Sequence, residues 1–290
     1  MSKDIYNPCS SRLIEGMLDP LVGHLKNFLS ESFFIENERW LGKTGNIFAI
    51  IAAFAFLVIG LRFAIKEDSF NMFLMGIGVF LGVILVQYVA IKFVTPTLTG
   101  IQNAQTAISD NSVLSIIALL IFLSGLAALI GGIYMAIKSD EFQLFLMGIG
   151  IFFSTLYASC LYLNPSLINI VIVESSTPAG DALGIVSSVI KVLARSIVIV
   201  YGSWVTIGTI DLVFTTVSTF KDTGDYALAK IIGTVPLITA GLTSPISTFF
   251  IFTFAMLSIE WTSEILGINR RLEAIARLFR NSSQNAVQKQ

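Results

Sequence analysis

Apolar and polar positions alternate along this chain on the scale of whole helices. Long apolar windows lie near 46–65, 71–93, 114–137, 142–163, 197–220 and 231–259. Each is long enough to cross a hydrocarbon core of about 30 Å as a helix. Polar connectors at 94–113, 164–196 and 221–230 separate some of them, and short charged turns at 66–71 and 138–141 separate the others. Turns that short make the flanking spans antiparallel neighbours. The pattern predicts an all-α polytopic membrane bundle of about six transmembrane helices, including two tandem hairpins.

The remaining segments are amphipathic or polar. Within a lead-in of 1–45, Leu13, Ile14, Met17, Leu18, Leu21, Val22, Leu25, Phe28 and Leu29 recur at helical spacing with charges between them. Pro20 is expected to interrupt or kink that helix. It would lie in the membrane interface or dock onto a partner protein. Residues 182–193 read as a second interfacial helix or a bent lead-in to the fifth span. The last window is longer than one upright helix needs and holds Pro236, Gly241 and Pro245, so tilt, a kink or two half-helices all fit. Residues 261–290 form a basic amphipathic tail, with 281–290 expected to be unstructured. The organisation is thus 1–45, a hairpin at 46–93, a hairpin at 114–163, an interfacial segment with two further spans at 164–260, and the tail.

The two hairpins are copies of one another. At an offset of 72 residues, 64–80 and 136–152 agree at twelve of seventeen positions, through a charged turn and the same Phe-Leu-Met-Gly-Ile-Gly. Biased composition scatters apolar matches but does not reproduce a turn. Each copy starts and ends on one side of the membrane, so the copies are parallel repeats, unlike the inverted halves of many secondary transporters. Gly78 and Gly82, with Gly150 and Ser154 in the second copy, form small-xxx-small pairs suited to close helix packing. That packing would be within the bundle, or between copies in a homo-oligomer.

Composition agrees with a membrane protein. The 290 residues are 54% hydrophobic and 13% charged, with mean hydropathy +0.81; soluble domains carry roughly a quarter charged residues. A net charge of −1 supplies no basic field for nucleic acid. One histidine (His24) and two cysteines (Cys9, Cys160) leave no expectation of a metal centre. No phosphate loop, dinucleotide fingerprint or nucleophile elbow occurs, so neither enzymatic activity nor a cofactor is expected. With six spans, the side carrying both termini holds 13 of the 18 basic residues. This predicts a plasma (inner) membrane protein with cytoplasmic termini, in contact with membrane lipid.

Asp211, in the middle of the fifth span, is the candidate for chemistry, since an intramembrane carboxylate is costly and faces a partner or water. Thr206 and Thr209 beside it, and Thr239 and Thr243 between Pro236 and Pro245, make the last two spans polar. Two readings stay open for this set. One is a permeation path; the other is structural hydrogen bonding of carbonyls freed by proline. Arg62 and Arg195 either snorkel to the interface or pair with Asp211.

A two-helix hairpin with a tight charged turn and a glycine-rich second helix resembles the pilin subunits of conjugation and type IV secretion systems, here over 46–93 and 114–163. Taken whole, several spans behind an amphipathic lead-in look like the polytopic inner-membrane channel component of the same machines. The multi-span component of the archaeal Ced DNA-import system is similar. Pilins are single hairpins with a basic turn, whereas these turns are mixed or net acidic. The resemblance therefore implies a membrane platform or channel of a DNA- or protein-transfer machine, built of pilin-like hairpins. It also implies other membrane subunits, a cytosolic ATPase and translocated single-stranded DNA as partners. A self-contained ion or small-solute channel, and a scaffold that transports nothing, are the alternatives.

Overall fold

The computed structural model describes residues 12–173, 178–220 and 225–287, with side chains described from 19 to 268 within those limits except at 225 and 226. In chain order the elements are α1 (Arg12–Phe28), α2 (Glu31–Lys66), α3 (Phe70–Asn103), β1 (Thr106–Ile108), α4 (Ser112–Ser139), α5 (Phe142–Leu163), a 3-10 turn (Pro165–Ile168), β2 (Ile170–Ile172), α6 (Pro178–Arg195), α7 (Ile197–Ser218) and α8 (Asp225–Val287). Among the described residues, six stretches are long and apolar enough to span a bilayer: α2, α3, α4, α5, α6 together with α7, and α8. The chain is an all-α multi-pass membrane bundle.

The duplicated turns fold alike. Asp68 and Asp140, identical in the repeat, both take the left-handed backbone conformation, at φ 45° and 54°. Aspartate tolerates that region better than most residues, which accounts for its place in both turns. Behind the first turn, Ser69 N–H reaches back to the Ala64 carbonyl at 3.1 Å and closes α2.

Above each turn the two helices of a hairpin cross on paired glycines. A Cβ placed on Gly60 would lie 2.6 Å from Gly76 Cα, and one on Gly132 would lie 2.8 Å from Gly148 Cα. Gly132 and Gly148 are the repeat counterparts of Gly60 and Gly76. Only glycine permits helices to touch backbone to backbone, the form of contact that organises helices in lipid.

α7 is the hub of the bundle. One face meets α2, where Gly45 and Gly202 approach within 2.7 Å of a built Cβ. Another meets α8, where Gly208 lies against Ile238 and Gly241 against Val205. A third presents Trp204 and Ile207 to Gly150 of α5. Two hairpins and α8 thus gather round one central helix.

Four segments depart from the expected pattern. The lead-in helix passes Pro20 and breaks instead at Leu29 and Ser30, where the Ser30 hydroxyl accepts from Phe33 N–H at 3.3 Å and caps α2. The first spanning helix begins at Glu31, not 46; one of the charges that mark 31–45 as lead-in, Glu38, pairs with Arg195 of α6. One short parallel sheet, β1 with β2, joins the connectors that leave the two hairpins, pairing Thr106 with Ile170 and Ile108 with Ile172. α8 remains helical past 259 and through 281–287, which the sequence predicts as tail; its prolines leave it a single helix. The side chains of 269–280, expected to form a basic face, lie outside the described residues.

At the end of the bundle opposite the hairpin turns, α1, the sheet and α6 form a cap. Leu29, Phe34, Ile101, Leu161, Ile168 and Val192 bury together beneath it. α4 starts from this cap. Ser112 N–H donates to Asp110 Oδ1 at 2.8 Å, and that bond holds the Asp110 carboxyl below its ordinary range.

Candidate functional site

The residues singled out by sequence do not share one lining. The Thr206 hydroxyl donates to the Gly202 carbonyl at 2.7 Å and the Thr209 hydroxyl to that of Val205 at 2.7 Å, both within α7. Thr209 also reaches the Phe48 carbonyl of α2, at 3.2 Å. In α8 the Thr243 hydroxyl donates to Thr239 O at 2.7 Å. Pro245 cannot bond the carbonyl of Gly241, and the Ser244 hydroxyl does so in its place, at 2.7 Å. Near the exposed Pro236, Gln143 of α5 donates to Gly233 O at 3.1 Å.

Asp211 is different. It is 4% exposed, and its enclosed Oδ2 has no hydrogen-bond partner among the described residues. On the turn before it, Ile207 packs with Leu146 of α5 and Leu237 of α8. On the turn after, Phe214 lies 5.2 Å from the ring of Phe142. The carboxylate therefore sits on the face of α7 that meets α5 and α8. Neither arginine reaches it. Arg195 pairs with Glu38 at 2.8 Å, and Arg62 donates to the carbonyls of Thr219 and Phe220 at 2.7 and 2.6 Å, at the end of α7. That position suits a cation, since a helix C-terminus carries partial negative charge.

Three residues that the sequence reading passed over form a polar node inside the bundle. Gln87 Nε2 of α3 donates to Asn46 Oδ1 of α2 at 2.8 Å. The Tyr201 hydroxyl of α7 lies 2.8 Å from Asn46 Oδ1 and 2.7 Å from Gln87 Oε1, with one proton to give to either. The repeat counterparts of Asn46 and Gln87 are Ala118 and Ser159, and there the Ser159 hydroxyl donates to Ala118 O at 2.8 Å. Both hairpins carry an interhelical hydrogen bond at the same place. Two amide side chains in adjacent apolar windows were the signal available in the sequence.

A second set missed by sequence binds the cap to the bundle. α6 turns a polar face inward. Asp181 accepts from Ser109 N–H and hydroxyl at 2.9 and 2.7 Å, Ser187 lies 2.9 Å from the Thr106 hydroxyl, and Lys191 donates to the carbonyls of Ala104 and Asn169. Gly184 lies between them, where a Cβ would come 2.6 Å from Ala107 O. The opposite face, with Val186, Val189 and Leu193, is exposed. A helix polar inside and apolar outside is built to face lipid.

A cleft of about 550 Å³ lies between α2, α3 and α8. Phe56, Phe63, Met75, Val79, Ile231 and Leu242 contribute to walls that are apolar except for Thr239 and Thr243. It exists because α3 and α8 diverge. They touch near the cap, where Phe93 meets Phe249 at 5.0 Å and Phe252 packs on Gly100, and they part toward the hairpin turns. The cleft gathers Thr239, Thr243 and Gly82; Asp211, Thr206 and Thr209 line no part of it.

The small-residue pairs behave unequally. Gly150 packs against Ile207 and Trp204, and Ser154 accepts a hydrogen bond from Trp204 Nε1 at 3.3 Å. A Cβ on Gly78 or Gly82 would meet no atom within 4 Å among the described residues. Those two glycines do not pack within the bundle, because the crossing with α2 uses Gly76. Two residues on, Gly78 points to the other side of the helix.

No protein-family model, no curated protein and no solved structure matches the chain. The functional reading therefore rests on the residues themselves and on the resemblance of the hairpins.

Proposed function

We propose that this chain is a multi-pass membrane platform of a DNA- or protein-transfer machine, on which other membrane subunits and a cytosolic ATPase assemble. The observation that carries the reading is the contrast between the repeats. The small-residue face of α5 is covered by α7, while the same face of α3 is left open beside an apolar cleft. A protein that is complete by itself has little use for an uncovered helix-packing face in lipid, whereas a subunit does. The helical extension of α8 beyond its spanning part suits contact with a soluble partner. On this reading both termini lie in the cytoplasm of a cell whose plasma membrane holds the machine, and single-stranded DNA or protein is its cargo.

The test is intercellular DNA transfer in a strain lacking the gene, complemented by wild type or by Asp211→Asn. Loss of transfer restored by wild type supports the platform; normal transfer without the gene refutes it. A self-contained ion or small-solute channel is the second reading, favoured by the unpartnered carboxylate of Asp211. Ion flux in proteoliposomes that depends on Asp211 would establish it.

A further inference from the structure

We infer that α3 is the contact helix of a symmetric dimer, in which the face bearing Gly78 and Gly82 packs against the same face of a second copy of this chain. The inference deepens the platform reading by naming the occupant of the same open face, and its test reads the dimer contact alone, without DNA transfer.

The internal repeat supplies the comparison. On α5, four residues at helical spacing meet α7: Phe142 against Phe214, Leu146 beside Ile207, Gly150 under Ile207 and Trp204, and Ser154 bonded to Trp204. Their counterparts on α3 are Phe70, Leu74, Gly78 and Gly82. The sequence has kept the stripe apolar and small in both copies, but α3 has no α7. Leu146 is 5% exposed and Leu74 is 50% exposed; Gly150 is buried and Gly78 is open. The same side of the same hairpin is a helix-packing surface once and bare once.

Two further observations choose the occupant. Where this chain crosses its hairpin helices most closely, glycine meets glycine, at Gly60 with Gly76 and at Gly132 with Gly148. The remaining glycine pair at spacing four is best met by its own likeness, since two bare ridges let both backbones approach. Copies inserted in one orientation also present α3 in parallel, as a two-fold axis along the membrane normal requires, and the contact is then self-complementary and closed.

A Cβ at Gly78 or Gly82 meets no atom within 4 Å among the described residues of the isolated chain, so the test separates the dimer contact from the fold. A side chain at Gly78 leaves the bundle and one at Gly82 starts from the rim of the cleft, and both would stand between the helices of the dimer. In a background with Cys9→Ser and Cys160→Ser, single cysteines are introduced as Leu74→Cys, Gly78→Cys and, as a control on the exposed face of α4, Ile130→Cys. The full-length protein is oxidised in its native membrane. Disulfide-linked dimers are expected at positions 74 and 78 and not at 130. Adding Gly82→Leu to Leu74→Cys should lower the dimer yield at least tenfold, while the melting temperature of the purified chain stays within a degree or two of the parent.

Failure to cross-link at both 74 and 78, equal cross-linking at 130, or an unchanged yield with Gly82→Leu overturns the proposal. So does cross-linking of Leu74→Cys to a different protein in place of a second copy. A drop in melting temperature with Gly82→Leu would also count against it, because it would show that the face is already packed within one chain.

Discussion

Gly60 and Gly76 face one another where α2 crosses α3, so close that neither tolerates a Cβ without moving the other's backbone. Seventy-two residues later Gly132 and Gly148 repeat the contact. The relation separates glycines that build the fold from glycines that do not. Gly76→Leu is expected to destabilise by overpacking, by about 1–3 kcal/mol or more because backbone must shift. Gly78→Leu, two residues away, should leave the monomer's stability unchanged. Thermal unfolding of both variants in detergent checks the difference; equal losses would contradict the crossing described here.

The node of Asn46, Gln87 and Tyr201 should respond to removal of a single oxygen. Tyr201→Phe leaves one amide oxygen short of a donor and is expected to cost about 0.5–2 kcal/mol. Gln87→Leu removes two bonds and should cost more. A double-mutant cycle between positions 87 and 201 should give a non-zero coupling energy, whereas Tyr201 with the distant Ser159 should be additive.

Glu38 and Arg195 form a largely buried pair with side chains 14% and 13% exposed, and Glu38 Oε1 and Arg195 Nε lack partners among the described residues. Such a pair is costly to break and cheap to delete. Glu38→Gln alone should destabilise by about 3–5 kcal/mol by leaving Arg195 uncompensated, and adding Arg195→Met should recover most of the loss. A double variant no more stable than Glu38→Gln would show that the arginine has another buried role.

Asp211 Oδ2 has no hydrogen-bond partner among the described residues, so replacing Asp211 should not unfold the protein. Asp211→Leu is expected to raise stability by about 1 kcal/mol or more, because an uncompensated buried charge is removed. The measurement is again thermal unfolding. A fall in stability would reveal a structural partner for the carboxylate.

Much of this architecture was readable in sequence because it follows from length and periodicity. The six spans, the two hairpins and the duplicated turns are set by runs of apolar residues and by Lys66, Asp68, Lys138 and Asp140. What was not readable depends on helix rotation and on contacts between remote residues. Gly76 and Gly78 look alike in a list, yet a two-residue step places them on opposite sides of α3. Residues 31–45 read as part of a lead-in, whereas Glu38 within them is matched by Arg195, far away in sequence. Lys191 lies in a stretch that reads as an interfacial helix or a lead-in to the fifth span, but it is buried and bonds the carbonyls of Ala104 and Asn169. Strands of three residues, such as 106–108 and 170–172, carry no period at all.

α8 runs without a break for 63 residues, about 95 Å of helix, roughly three times the thickness of a hydrocarbon core. One end begins beside the hairpin turns and lines the apolar cleft; the other extends past the cap on the far side. Such a helix is a shaft that passes through the whole molecule. Ile231, Val235 and Leu242 of the cleft wall belong to the same helix as the segment beyond 268. The wall of the cleft and the arm beyond the cap are therefore stretches of one continuous helix.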